Sequence, residues 1–198
     1  TKFTSDVFSM WNYTNLFGSW NHSVFQAPGC WVDAAHRNGT DIMSGIKFFE
    51  SWTAGSGAGN WCALISTKNA DGTYKYTKAL INILMFFGSD GINYNFEDTG
   101  YSNADVVAFH KSLYKEAAAQ GFDNFHIGIY TANSSLTAAY KEALFGSTDT
   151  GKTADLMLNY SGGDFTSTNA MRSSVQTAEA AMGTCEGLYT GVWFVNMD

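Results

Sequence analysis

Basic residues are scarce in this chain. Eleven Lys and Arg stand against 18 Asp and Glu in 198 residues, a formal net charge of −7. A nucleic-acid partner demands a cationic footprint, so no nucleic acid is expected. Cysteine is as sparse: Cys30, Cys62 and Cys185 show no Cys-x-x-Cys spacing. One disulfide with a free thiol and three buried thiols both fit that count. The four histidines form no His-x-x-x-His or His-Glu-x-x-His pattern, so no metal and no cofactor is expected. No apolar run reaches the roughly 18 residues of a membrane span, and no leader pattern is present. Gly-x-Gly-x-x-Gly does not follow the first strand, and no phosphate-cradling Gly-x-x-x-x-Gly-Lys occurs, which disfavours a nucleotide-binding open sheet.

What remains is an apolar, aromatic chain. Hydrophobic residues make up 45% and aromatic residues 16%, with six Trp, ten Tyr and fifteen Phe. The length suits one domain with a sizeable core. The rings serve equally as core filler and as platforms for sugar faces. Four Asn-x-Ser/Thr strings begin at Asn12, Asn21, Asn38 and Asn133, a pattern too common to fix a compartment.

Strand and helix alternate along the chain. A short aromatic strand ends the stretch 8–20, and Pro28-Gly29 breaks the chain before a helix stopped by Asn38-Gly39. A second strand spans 42–49, followed by a Gly- and Trp-rich loop over 51–61, a setting in which lids are often found. A helix over 75–87 ends at Gly88, and a third strand covers 91–97. Asn103 or Asp105 caps the next helix, which runs to Gly121. A fourth strand at 125–130, a helix over 136–145, a fifth strand at 155–160, a helix over 170–182 and a sixth strand at 188–195 complete the pattern. Such alternation means an α/β fold with a parallel sheet, here a (β/α)8 barrel represented by about six strand–helix units. Residues 1–198 form one partial barrel domain on this reading, with further strands expected outside them. A barrel short of two strands leaves two sheet edges open, so this segment is not expected to be stable by itself.

The third strand organises the reading. In Asp90-Gly91-Ile92-Asn93-Tyr94-Asn95-Phe96-Glu97-Asp98, residues two apart share a face. Asn93, Asn95 and Glu97 therefore point one way, and Ile92, Tyr94 and Phe96 the other. Two amides and a carboxylate inside a covered parallel sheet are costly without partners, so that face reads as a site. At the carboxyl ends of barrel strands Glu97, Tyr130 or Thr131, Tyr160 and Asn196 would gather. One carboxylate ringed by amides and hydroxyls points to acid–base chemistry on a neutral polyol.

These residues resemble glycoside hydrolase family 85, the endo-β-N-acetylglucosaminidases that cut the chitobiose core of N-glycans. The likeness rests on four segments in the family's order: the spaced aromatics Trp11, Tyr13, Phe17 and Trp20; the string Trp31-Val32-Asp33-Ala34-Ala35-His36-Arg37-Asn38-Gly39; Gly88-Ser89-Asp90-Gly91 followed by Asn95-Phe96-Glu97; and Asn159-Tyr160. The chain departs from the family pattern at Met43-Ser44-Gly45, where Leu-Gly-Thr is usual, and lacks the Gly-Arg-Gly that often follows the segment 192–196. The same third strand also fits the Asp-Gly-x-Asp-x-Asp-x-Glu spacing of family 18 chitinases, with Asn93 and Asn95 in the inner acid positions. Under that reading the barrel would bind GlcNAc chains without cleaving them.

The family 85 resemblance implies a retaining, substrate-assisted reaction, in which the 2-acetamido oxygen of the sugar attacks C1. Glu97 is then the proton donor and later the base. Asn95, with its Cβ roughly 6–7 Å from that of Glu97 by strand rise, orients the acetamide. Tyr160 is a second acetamide partner, Asn93 lines the same face, and Trp20, Trp52, Trp61 and Trp193 are candidate sugar platforms. The implied partner is an N-glycan or glycoprotein. A third possibility is an unrelated barrel enzyme using Glu97 as a simple base.

Overall fold

Gly91–Phe96 shows how the chain builds its layers. Ile92, Tyr94 and Phe96 are buried against Leu80, Ile81 and Leu84 of one helix and Val106, Phe109 and Leu113 of the next, while Asn93 and Asn95 lie on the opposite face. Helices thus cover one face of the sheet and leave the other as an interior. The computed structural model describes residues 8–18, 27–46, 59–96, 101–160 and 168–192, with backbone alone for 59–62 and 168–169.

Six parallel strands form the main sheet: β1 (Leu16–Gly18), β2 (Asp41–Gly45), β3 (Gly91–Phe96), β4 (His126–Thr131), β7 (Asp155–Leu158) and β8 (Leu188–Thr190). Their spatial order is their chain order, β1-β2-β3-β4-β7-β8, and every pairing is parallel. A doubly wound sheet reverses direction at a switch point; this one never does. The sheet curls into a half-barrel, so the fold is α/β, a partial barrel of the (β/α)8 type.

The helices are α1 (Gly29–Arg37), α2 (Gly59–Ser66), α3 (Thr77–Phe87), α4 (Asn103–Ala119), α5 (Ala138–Tyr140) and α6 (Thr168–Met182). α3 stops at Gly88, whose φ of +69° is the left-handed conformation a side chain resists. α4 buries Val106, Phe109, His110, Leu113 and Ala117, the stripe expected of a helix lying on a sheet. His110 is wholly buried among these apolar groups, and that burial lowers its pKa to about 3. Its Nδ1–H donates to the Thr153 carbonyl (3.1 Å), which leaves Nε2 to accept from the Tyr94 hydroxyl. One neutral imidazole thereby joins β3, α4 and the approach to β7.

Several boundaries differ from the sequence reading. The cap of α4 is Ser102, not Asn103 or Asp105: its extended backbone lets Oγ accept from the Asp105 N–H at 3.2 Å. The 51–61 loop reading fails at its end, because Gly59 already opens α2 and Trp61 is helical. The single helix over 136–145 is instead α5 running into one π-helical turn, Lys141–Phe145. A hairpin of β5 (Gly146–Ser147) and β6 (Gly151–Lys152) follows, and its turn is closed by Thr150 Oγ1 accepting from the Ser147 N–H. β7 ends at Leu158, two residues short of the expected strand, because the Asn159 N–H leaves the ladder for the Asn133 carbonyl (2.9 Å). Cys30 and Cys185 are free and exposed, which overturns both alternatives: the thiols are not all buried, and with two of the three cysteines unpaired no disulfide forms within the chain.

Candidate active site

The interior face is laid out by register. Gly45, Asn93 and Gly128 sit side by side on β2, β3 and β4, and Asn95 lies level with Tyr130. That row continues through Met157 to Tyr189. Three levels follow from this pairing.

At the amino-terminal ends of the strands lies an ionic floor. His126 Nε2 is 3.2 Å from Asp41 Oδ2, and Nδ1 is 3.1 Å from Asp155 Oδ2. Lys152 pairs with the other Asp155 oxygen. With a carboxylate at each ring nitrogen, His126 donates from both and is held as the imidazolium. Its pKa is raised chiefly by the Asp155 hydrogen bond, against the opposing effect of burial. Burial also works against the Asp155 carboxylate, but the bonds from His126 and Lys152 outweigh it and lower its pKa. Asp41, His126 and Asp155 each open a strand. That coincidence was the signal in the sequence, and it went unread because polar residues at strand starts are common.

The middle level is Met43 and Asn93. Met43 reaches across β3, and a Cβ placed on Gly128 would meet its Cε at 2.8 Å. Gly128 is therefore space that Met43 occupies. Asn93 has bare backbone on either side, at Gly45 and Gly128. Its Oδ1 is buried and has no hydrogen-bond partner among the described residues. A desolvated amide oxygen left unmet costs about 1–3 kcal/mol.

The upper level is Asn95, Tyr130, Asn159 and Tyr160. Tyr130 is 6% exposed, and its hydroxyl accepts from Asn159 Nδ2 at 2.7 Å. The Tyr160 ring stacks on that of Tyr130, centroids 6.0 Å apart and planes 22° apart, and is itself 39% exposed. Of the alternatives Tyr130 and Thr131, Tyr130 lies on the interior face. Thr131 pairs with Phe96 and is buried on the other side. The structure thus joins Asn95 to Tyr160 through Tyr130, a residue that sequence pattern alone did not separate from its neighbour.

Glu97, Trp20, Trp52, Trp193 and Asn196 lie outside the described residues, as does the side chain of Trp61. Among the described residues no group of three His, Cys, Asp or Glu is placed to hold a metal ion, and no helix is long and apolar enough to cross a membrane.

The comparison with known families is specific. The family model described as glycosyl hydrolase family 85 matches residues 1–192. Two curated relatives, the cytosolic endo-beta-N-acetylglucosaminidases of Mus musculus and Gallus gallus, are each 29% identical to this chain over 93 residues. The matched stretch is 46% of this chain and 12% of the length of either relative.

Proposed function

Because the chain belongs to glycosyl hydrolase family 85, we propose that it carries the reaction centre of an endo-β-N-acetylglucosaminidase acting on the GlcNAc-β-1,4-GlcNAc core of N-linked glycans. The observation that supports this most is the pairing of Asn95 with Tyr130 on the interior face, at the carboxyl ends of strands where barrel enzymes place their chemistry.

The acetamido oxygen of the sugar attacks C1 as the bond from C1 to the leaving oxygen breaks. Glu97, two residues after Asn95 in the sequence, gives its proton to that oxygen, and a cyclic oxazolinium intermediate remains. The Glu97 carboxylate then takes a proton from water, whose oxygen attacks C1 and reopens the ring with retention. Asn95 hydrogen-bonds the acetamide and holds it beneath C1, which supplies the orientation that an intramolecular attack requires. Asn93 lies on the same strand face, two residues nearer the strand start, and its Oδ1 is an acceptor there. Tyr160 offers a partly exposed ring or hydroxyl at the mouth, and Trp20, Trp52, Trp61 and Trp193 remain candidate platforms for further sugars.

The test is turnover of a high-mannose Asn-linked glycopeptide by the full-length protein, with Glu97→Gln and Asn95→Ala beside it. Release of glycan with one GlcNAc left on the peptide, lost in the Glu97 variant, is expected. Glycan binding without release by the unaltered protein would support the family 18-like binding barrel instead.

A further inference from the structure

We propose that Met43 sets the length of the N-acyl group this site accepts, because its thioether methyl stands across the interior one level beneath Asn95, where the acyl tail of a bound sugar ends. This rests on the endoglycosidase reading for its substrate, though not for its geometry.

Met43 is buried, yet among the described residues it belongs to neither of the two apolar clusters that join the sheet to its helices. It pairs with Gly18 of β1 on one side and Gly91 of β3 on the other. A Cβ on Gly18 would stand 3.5 Å from its Cε, and a Cβ on Gly128 would stand 2.8 Å from the same atom. The methyl therefore lies between β1 and β4, in room that two glycines leave. Asn93 shares that room, with its Cβ 3.4 Å from the Gly128 position and its Nδ2 2.9 Å from the Gly18 one. The described layer beneath Asn95 is thus one unbranched, polarisable thioether beside an amide. The chemistry of the substrate aims an acyl tail at it. In the five-membered ring that closes at C1, the nitrogen, the carbonyl carbon and the oxygen are all ring members. The tail is then the one substituent of that carbon that points away from C1. The sugar enters from the carboxyl ends of the strands and Asn95 holds its acyl group, so the tail runs on towards the strand starts. Asn93 lies two residues below Asn95 on the same face, roughly 6–7 Å by strand rise, a span that a methyl fits and a longer chain overruns.

The test compares glycopeptides whose scissile glucosamine carries an N-acetyl, N-propanoyl or N-butanoyl group, cleaved by the full-length protein and by Met43→Ala. In the unaltered protein kcat/KM is expected to fall about tenfold or more for each added methylene, the scale at which a filled apolar site rejects one. Met43→Ala removes the thioether and is expected to raise the butanoyl-to-acetyl ratio about tenfold or more. Each ratio is taken on a single protein, so a smaller folded fraction cancels and a merely structural loss leaves it unchanged. An unchanged ratio in Met43→Ala overturns the proposal. A second readout needs neither that variant nor turnover. In ¹³C-methyl-methionine NMR of Glu97→Gln, the Met43 resonance, identified by its absence in Met43→Leu, is expected to shift when the N-acetyl glycopeptide binds. Binding that leaves this methyl unmoved also overturns the proposal. An unaltered protein that binds glycan and moves Met43 but cleaves nothing defeats the endoglycosidase reading alone. One that cleaves with the same ratio in both forms defeats this proposal alone, and one that neither binds nor cleaves defeats both.

Discussion

His36 Nε2 lies 2.7 Å from Asp90 Oδ2, so two of the strings that mark the family in the sequence touch each other in the fold. The same Asp90 oxygen accepts from the Ile42 N–H at 2.8 Å, and the Asp90 N–H returns a bond to the Ile42 carbonyl. One carboxylate thus fastens α1 to the start of β2 and to the turn into β3. These residues sit at the strand-start end, away from Asn95, and their role is to set the position of β3.

Asp90→Ala is expected to destabilise the protein by about 1–3 kcal/mol, since it strands the Ile42 N–H. Asp90→Asn, which keeps one acceptor, is expected to lose less. Denaturant melts of the full-length protein check both. An alanine variant as stable as the parent would remove the proposed tie.

Asn93→Leu is expected to raise Tm while weakening glycan binding. The substitution removes a buried oxygen that has no partner among the described residues, and with it an acceptor on the interior face beside Asn95. Thermal melts beside glycan titrations measure the two effects together. A variant that loses both stability and affinity would mean that Asn93 is a packing residue only.

The buried His110 and the half-buried His126 give opposite pH signatures in separate windows. His126 has a raised pKa, so its stabilising effect is complete below its unfolded value near 6.5 and is lost as pH rises through the folded one. His110 has a depressed pKa, about 3, so it stays neutral in the fold while the unfolded chain takes up a proton below 6.5. Stability then falls by up to roughly 1.4 kcal/mol per pH unit on its account as the solution is acidified. His126→Asn is expected to flatten the profile above pH 6.5, and His110→Gln the profile between about 6.5 and 3. Stability measured across pH 4–9 for each variant tests the assignment, and a change confined to the wrong limb would refute it.

Residues 1–198 expressed alone are expected to lack a cooperative thermal transition, because β1 and β8 each pair on one side only among the described residues. A sharp, reversible melt of that segment would contradict this.

The sequence made the strand–helix alternation and the two faces of β3 legible because both follow from periodicity within one element. The stop of α3 was equally readable, since Gly88 carries a local conformational demand. What escaped depends on residues far apart in the chain. His126 meets Asp41 across 85 positions, and nothing in either neighbourhood announces the other. Tyr130 and Thr131 differ in role only through the register of β4 against β3. The hairpin after the π-turn was hidden for another reason: the helical pattern of 136–145 is real, but it runs into Gly146, whose φ of +109° no helix accommodates.

The monotonic order of the strands bears on how such a chain comes into being. Each new strand of the main sheet docks beside the main-sheet strand made just before it, so the ladders described here form in the order of synthesis. Only the most recent strand presents a raw edge at any moment on the growing side. The contact that closes the floor, His126 with Asp155, therefore joins segments only 29 positions apart, after the 85-position contact with Asp41 has its β-sheet frame in place.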